Sequence, residues 1–199
     1  MRKPRIPPLL IDVVHMGLSA LDGVVFNDLS ACSKCGGNLS GYDTKKKQFA
    51  VLFDEGQKKN ISVFVKRFYC QKCGALCYAQ EPFYPDTRVG APIVDLCVIF
   101  SATMPYTRAA TYLIQMGIII DRGSVRNYAR MGFSNIETTE IFGIRLPMSI
   151  LTLSTLAARI DKGGSIVGAE ALAAYGFPST HRTPAVSLLL SKKRNEGDK

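Results

Sequence analysis

Two short stretches of the sequence hold cysteines at the spacing of metal ligands. CSKCG and CQKCG each separate two cysteines by two residues and place glycine after the second. The two-residue spacer lets both sulfurs of a pair reach one ion, and glycine accepts the unusual backbone angles of the tight turn around it. Zinc takes four thiolates tetrahedrally, typically as two such pairs. The sequence therefore predicts a structural Zn²⁺ ion held by Cys32, Cys35, Cys70 and Cys73.

Two further cysteines lack the spacing of a ligand. Cys77 could replace Cys73 in the site, but its separation from Cys70 does not match the first pair. We predict that Cys77 is a small buried side chain and that Cys97, on an apolar helical stripe, lies in the core. A redox dithiol is the other common use of a Cys-x-x-Cys pair, yet two matched pairs flanking a predicted hairpin favour a metal.

The predicted metal site is structural rather than catalytic, because four thiolates close a tetrahedral shell and leave no position for water. Few acidic residues follow residue 133, so the sequence offers no set of carboxylates for nuclease chemistry. Of the two histidines, His15 is predicted to be packed on an apolar face and His181 to be exposed in a loop. We expect no enzymatic activity and no small-molecule substrate.

Two β-prone runs lie between the cysteine pairs. QFAVLF (48–53) and ISVFVKRFY (61–69) are rich in β-branched and aromatic residues, with a polar stretch (54–60) containing Gly56 between them. This pattern predicts a β-hairpin that brings the two pairs together. Residues 31–80 are thus predicted to form a zinc ribbon. Its small size leaves little core of its own, so the metal would supply much of its folding free energy.

Helical signals lie on both sides of the ribbon, which gives an α+β fold class: a small β zinc ribbon followed by a mainly α-helical region. The N-terminal 1–30 is predicted to be a lead-in, with a helix over Leu9–Leu21. Residues 91–133 are predicted to form a helix-turn-helix region. Residues 145–190 are predicted to be a C-terminal helical region, with helices at Pro147–Ile160 and from a Ser165 cap to Tyr175.

Three helices are predicted within 91–133. The first has an apolar stripe from Ile93 to Phe100, and the second is stopped by Gly117. The third starts at a cap supplied by Asp121 or Ser124 and ends at Gly132. The inward faces of the second and third helices are predicted to consist of apolar residues, namely Ala109, Ala110, Leu113, Ile114, Val125, Tyr128 and Ala129.

The stretch MPYTRAATYLIQMGIIIDRGSVRNYARMG resembles the second helix, turn and recognition helix of the modules found in transposases and related prokaryotic and archaeal regulators. In those proteins a zinc ribbon often precedes the module, and here the resemblance covers roughly residues 31–132. It implies a transcription regulator, or a transposase-derived protein that lacks the catalytic domain. Double-stranded DNA is the implied partner.

The residue types on the third helix agree with a DNA-reading role. If its apolar side is buried, the opposite side presents Arg126, Asn127 and Arg130. Arginine can bond guanine and asparagine can bond adenine in bidentate fashion in the major groove. Arg122 and Ser124 at the helix start suit phosphates, and Arg108 on the preceding helix would lie near the DNA backbone. The alternative interpretation is an ordinary solvated helix face.

The formal net charge of +9 favours a polyanionic partner. Lysines in the ribbon could follow phosphates, could only confer solubility, or could surround a site for a protein partner. The alternatives to a duplex reader are therefore a zinc-ribbon adaptor between proteins and an RNA-binding protein, in which exposed Tyr and Phe side chains stack on bases. The ribbon lysines and arginine concerned are Lys45, Lys46, Lys47, Lys58, Lys59, Lys66 and Arg67.

The 199-residue chain has a mean hydropathy of +0.09 and no apolar run of membrane-spanning length. We expect a cytoplasmic protein without a membrane partner, in which reduced Cys-x-x-Cys pairs bind metal. The C-terminal helices are predicted to form a homodimer or to pack on the helix-turn-helix region. A second helix-turn-helix is the alternative, and Pro184 disfavours it because it would fall inside the recognition helix.

Overall fold

The computed structural model describes residues 6–54, 56–133, 135–160 and 164–176. Within them the fold is a mixture of helices and strands, which confirms the predicted α+β class. The helices are α1 (Pro8–Ser19), α2 (Ala91–Thr103), α3 (Tyr106–Gln115), α4 (Arg122–Arg130), α5 (Met148–Arg159) and α6 (Gly168–Tyr175). The strands are β1 (Val25–Phe26), β2 (Leu39–Asp54), β3 (Gln57–Cys70), β4 (Leu76–Tyr78), β5 (Thr138–Ile141) and β6 (Ile144–Pro147).

The β2–β3 hairpin is the longest feature of the fold and exceeds the prediction at both ends. Its antiparallel register runs from Leu39 opposite Cys70 to Asp54 opposite Gln57. The predicted turn at 54–60 is therefore wrong: only residues 55–56 lie between the strands, and Gly56 has a φ of +81°. The polar residues that suggested a turn are exposed on paired strands, where backbone pairing does not require an apolar side chain.

The half of the hairpin nearest its turn belongs to the main hydrophobic core. Ile61, Val63 and Val65 alternate along β3 and are fully buried. They share this core with Leu10 and Val14 of the N-terminal helix α1. A separate, smaller cluster lies at the other end and contains Cys32, Cys70 and Cys77. The expectation of little core therefore applies to the cysteine end of the hairpin and not to its whole length.

Helix α2 is more central than its predicted stripe from Ile93 to Phe100 suggested. Nine of its 13 residues are buried, on all sides of the helix. One of them is Asp95, which is fully buried and accepts a hydrogen bond from the Tyr84 hydroxyl at 2.7 Å. A buried carboxylate is tolerated only when hydrogen bonds replace its hydration. Tyr84 therefore fastens the loop that precedes α2 onto the helix.

Replacing Tyr84 by phenylalanine should lower the free energy of unfolding by about 1–3 kcal/mol, because it removes a hydrogen-bond donor from a buried carboxylate. Urea unfolding monitored by circular dichroism measures the change. Tyr42→Phe, at an exposed tyrosine, is the matched control and should shift stability by less than about 0.5 kcal/mol. If both variants were as stable as the wild type, the Tyr84 hydroxyl would not be needed to hold Asp95.

The connection between α3 and α4 is attached to the turn end of the hairpin. Phe53 donates its N–H to the Gly117 carbonyl at 2.7 Å, and Ile119 donates to Val51 at 2.8 Å. Gly117 ends α3 as predicted, with a φ of +77°. In addition, His15 Nε2 of α1 lies 3.1 Å from the Met116 carbonyl oxygen, to which its N–H can donate. The α3–α4 turn is thus held by the sheet and by the N-terminal helix.

Gly117→Ala should destabilise the protein by about 2–4 kcal/mol. A side chain at this φ is strained, and its Cβ would overlap the His15 ring. Gly143→Ala separates the two costs, because Gly143 has a φ of +74° but no atom within 4 Å of the added Cβ. Thermal unfolding should show a clearly larger loss for Gly117→Ala. Equal losses would show that the His15 ring simply moves aside.

The region after residue 133 contains a feature that the sequence did not predict, the β5–β6 hairpin. Helix α5 matches the predicted segment closely, whereas α6 begins at Gly168 and not at a Ser165 cap. The Glu170 carboxylate accepts from the Val167 N–H at 3.5 Å and takes the capping role. Helix α6 ends at Tyr175 as predicted, and Gly176 follows it in the left-handed conformation. Residues 177–190 of the predicted C-terminal region, including His181, lie outside the described residues.

Along the described stretches, every helix is too short or too polar to cross a membrane.

Candidate metal centre and candidate nucleic-acid interface

The four cysteines predicted as ligands come together at the open end of the hairpin. Their sulfur atoms all lie within 4.8 Å of one another. Cys32 Sγ is 3.7 Å from Cys73 Sγ, and Cys35 Sγ is 3.5 Å from Cys70 Sγ. These separations are far longer than a disulfide bond. They are close to the separation of about 3.8 Å between ligands on a tetrahedral ion with metal–sulfur bonds of about 2.3 Å. The four residues could therefore bind a metal ion.

The two cysteine pairs sit in turns of the same construction. In the first turn the Gly36 N–H donates to the Cys32 carbonyl at 2.9 Å, and in the second the Gly74 N–H donates to the Cys70 carbonyl at 3.0 Å. Both glycines have a positive φ, +66° and +69°, which confirms the predicted reason for glycine after each pair. Each turn thus points its two sulfurs to one side.

Strand pairing brings the two turns together. Leu39 pairs with Cys70, and just beyond that pair the Gln71 N–H donates to the Asn38 carbonyl at 3.0 Å. The segment between the first turn and β2 contains Gly37, where an added Cβ would lie 2.8 Å from the Lys72 Cβ and 3.2 Å from the Cys70 sulfur. Glycine at this position therefore allows the backbone of the first turn to approach the second.

Electrostatic repulsion opposes four thiolates at this distance unless a cation lies between them. The backbone N–H of Lys34, 3.4 Å from Cys32 Sγ, is the main cause that lowers the pKa of Cys32 to about 6. The Gly37 N–H lowers the pKa of Cys35, but the neighbouring sulfurs outweigh it and raise that pKa to about 12. A divalent cation would remove the repulsion. The donor set thus fits a metal ion better than four free thiols.

Cys77 is buried beside the cluster without joining it. Its thiol lies 3.6 Å from Cys32 Sγ and 3.9 Å from the Ala75 carbonyl oxygen. It belongs to strand β4, whose pairing with β3 sets it opposite Phe68. Its position allows an S–H donor to approach the Cys32 sulfur, a contact that the spacing of the cysteines along the sequence did not reveal. Cys97 is fully buried in α2, away from this cluster.

Helix α4 exposes the residues that the sequence proposed for contact with DNA. Val125 and Tyr128 are buried, and α4 packs against α2 and α3 through this side. Arg126, Asn127 and Arg130 are exposed on the other side. Within the described part of the chain these two arginines have no ion-pair partner.

The buried side of α3 differs from the prediction in one residue. Ile114 is 55% exposed, and the buried residues of this helix are Ala109, Ala110 and Leu113.

The start of α4 is capped by Asp121, one of the two predicted capping residues. Its carboxylate accepts from the Ser124 N–H at 3.0 Å and from the Ser124 hydroxyl at 2.6 Å. The hydrogen bond from the Ser124 hydroxyl is the main reason that the pKa of Asp121 lies below its usual value. Ser124 was predicted to contact phosphate, but its donors are occupied by a negatively charged group. That position is therefore unsuited to an anion.

Arg122 lies next to the beginning of α3. It lines a cavity of about 290 Å³ together with Met104 and Thr107. Thr107 also lines the neighbouring groove that contains Arg108. Both arginines are exposed. The structure therefore brings Arg108 and Arg122, which are 14 residues apart in the sequence, to neighbouring parts of one surface.

Two of the basic ribbon residues that could follow phosphates are already paired. The Lys47 ammonium lies 2.7 Å from a Glu81 carboxylate oxygen and makes a cation–π contact with the Phe83 ring. Arg67 forms a two-pronged ion pair with Asp43, which raises the pKa of the guanidinium. Neither partner was foreseen, because each pair joins residues that are distant in the sequence. The remaining lysines of the ribbon have no ion-pair partner among the described residues.

Comparison of the chain with protein-family models, with curated proteins and with solved structures gives no match.

Proposed function

We propose that this chain is a zinc-stabilised protein that binds double-stranded DNA through helix α4. The observation that carries the proposal is the exposed side of α4. Arg126, Asn127 and Arg130 are presented there on a helix whose opposite side is anchored in the core. Arginine and asparagine are the residue types that make bidentate bonds to guanine and adenine in the major groove.

The surroundings of α4 support a polyanionic partner. Between Met104 and Ile136 the chain has four arginines and one acidic residue, Asp121. The charge of Asp121 is engaged at the cap of α4. Arg108 and Arg122 share the surface at the beginning of α3 and α4, and we assign them to phosphates. Ser124 is omitted from the proposed interface because Asp121 occupies its donors.

Zinc is the metal that we assign to the cysteine cluster. Four thiolates arranged tetrahedrally are typical of structural zinc, and the complete shell leaves no position for a reacting molecule. The cluster would therefore hold the open end of the hairpin without taking part in chemistry. We infer that the protein acts as a transcription regulator, or that it is a transposase-derived DNA-binding protein without a catalytic domain.

A salt series tests the proposal on the wild-type protein. Loaded with zinc, it should bind a random duplex of about 20 base pairs at about 50 mM salt. A random duplex offers no selected base contacts, so all four arginines should lie near phosphates there. The logarithm of the binding constant should then fall with log[salt] with a slope of about −3 to −4. Fluorescence anisotropy of the labelled duplex measures both quantities. A zinc-loaded protein that fails to bind at low salt would contradict the proposal, and the adaptor alternative would then be tested by seeking a protein partner.

A further inference from the structure

The cysteine end of the hairpin carries a face of exposed tyrosines. Strand register sets Tyr78 of β4 opposite Arg67 of β3, and Leu76 opposite Tyr69. Residues directly opposite each other project from the same side of a sheet, and so do alternate residues along one strand. Tyr42 of β2 joins them, because the Arg67 guanidinium lies 5.5 Å from its ring centre. We call Tyr42, Arg67, Tyr69, Leu76 and Tyr78 the tyrosine face.

This face lies on the opposite side of the sheet from the metal centre. Phe68 and Cys70 alternate with Arg67 and Tyr69 along β3, and Cys77 is paired with Phe68. Towards the turn of the hairpin, the side that bears the tyrosine face continues as Ile61, Val63 and Val65, which helices cover. Beyond Val65 its side chains are exposed or half-buried, with the hydroxyl end of Tyr69 lying against Gly74 of the second cysteine turn. The residues Tyr42, Tyr69 and Tyr78 are consequently 62%, 47% and 41% exposed.

Arg67 holds the tyrosine face in a fixed arrangement. Its guanidinium lies near two rings, 5.5 Å from the centre of Tyr42 and 5.9 Å from that of Tyr78. Between Gly41 and Thr44, strand β2 has one residue more than the part of β3 it faces. Asp43 lies in this bulge, and its carboxylate binds the guanidinium from one side. The rings are thus separated and oriented before any ligand arrives, which lowers the entropic cost of binding.

The charge around the tyrosine face selects the kind of ligand. Near this end of the hairpin, from Ala31 to Lys46 and from Val65 to Gln80, Asp43 is the single acidic residue, and it is paired with Arg67. The same stretches contain six lysines and arginines. Lysine is depleted in the centres of protein–protein interfaces, whereas sites for single strands combine aromatic rings with positive charge. The surface is therefore complementary to a nucleic acid with accessible bases rather than to another protein.

We propose that the tyrosine face binds single-stranded DNA, with bases stacked on Tyr42, Tyr69 and Tyr78 and phosphates near the surrounding lysines. A base in a duplex hides its ring faces in the stack, so this surface takes unpaired strands and is distinct from the α4 surface. Stacking serves DNA and RNA alike, and the choice of DNA rests on the function proposed above.

The test measures binding of an oligothymidylate of about 12 nucleotides to the zinc-loaded protein by fluorescence anisotropy at about 50 mM salt. The triple variant Tyr42→Ala/Tyr69→Ala/Tyr78→Ala should weaken binding by about tenfold or more. The matched triple change to phenylalanine keeps the rings and should bind within about twofold of wild type. Zinc content and the circular dichroism spectrum establish that the variants are folded.

Several outcomes would overturn the proposal: no binding of the oligonucleotide by wild type, equal binding by the alanine variant, or equal losses in the alanine and phenylalanine variants. Tighter binding of oligouridylate by about tenfold or more would overturn the assignment to DNA. Arg126→Ala/Arg130→Ala should leave oligothymidylate binding intact while it weakens duplex binding. The two surfaces can therefore fail separately.

Discussion

Cys70→Ser should reduce the zinc content from one ion per chain to nearly none. Loss of a directly bound thiolate should weaken zinc affinity by more than the roughly 10- to 100-fold that accompanies changes around a metal site. The serine would also leave a hydroxyl in a fully buried position. Atomic emission spectroscopy on the purified protein measures the metal, and thermal unfolding with and without a chelator measures its contribution to stability.

The structural consequence should be confined to one end of the molecule. The cysteine end has only the small cluster around Cys32 and Cys70, so residues 31–42 and 67–78 should lose hydrogen-exchange protection. The turn end keeps Ile61, Val63 and Val65 in the main core, and its protection should remain. Loss of protection along the whole hairpin would show that the metal, rather than the core, stabilises both halves.

Cys77→Ser is the matched control for the ligand set. Cys77 is as buried as Cys32, but its sulfur approaches only one side of the cluster. This variant should retain one zinc ion per chain, whereas Cys73→Ser should not. The reverse pattern, with zinc lost from Cys77→Ser and kept by Cys73→Ser, would exchange the two residues in the assignment of ligands.

Arg126→Ala/Arg130→Ala should abolish most of the duplex affinity. On random DNA, removing two charges from the interface should reduce the magnitude of the salt slope by about 1.8. On a sequence selected for tight binding, the loss should be larger, because each bidentate contact with a base is worth about 1–3 kcal/mol. Both side chains are exposed, so the folded state should be unaffected.

Lys45→Ala/Lys46→Ala removes the same charge from an exposed part of the hairpin, opposite Val65 and Phe64 and away from the α3–α4 connection, and serves as the control. Its duplex affinity should stay within about threefold of wild type, since surface charges distant from an interface act weakly through salt. If both double variants lost affinity equally, the protein would respond to total charge, and α4 would not be the reading element.

Local signals predicted the metal ligands, and long-range contacts account for most of what the sequence missed. The cysteine spacing and the glycines after each pair are properties of a few neighbouring residues, so they could be identified directly. The pairing of Lys47 with Glu81 and of Arg67 with Asp43 depends on how strands meet. No pattern in one segment reveals such a partner.

The elements themselves show the same division. Apolar periodicity located the helices, because it reports a buried side. Apolar periodicity gave β2 and β3 too short a length. Their additional residues are mostly polar, yet they remain paired through the backbone. Apolar periodicity also predicted that Ile114 is buried, because an apolar stripe on a helix does not show how many of its residues the neighbouring helices cover. The position of Ser124 at the start of α4 suggests a phosphate contact, but the sequence does not show that its hydroxyl donates to Asp121.

The length of the hairpin sets a distance within the molecule. A 16-residue strand at about 3.3 Å per residue extends for up to about 50 Å. One end of this strand is hydrogen-bonded to the segment that leads into α4, and the other end meets the cysteines. One turn of B-DNA is about 34 Å long, so the hairpin is long enough to reach beyond a helical turn. Ligands bound at its two ends would be separated by a paired β-ribbon, whose span depends on the number of strand residues rather than on a flexible linker.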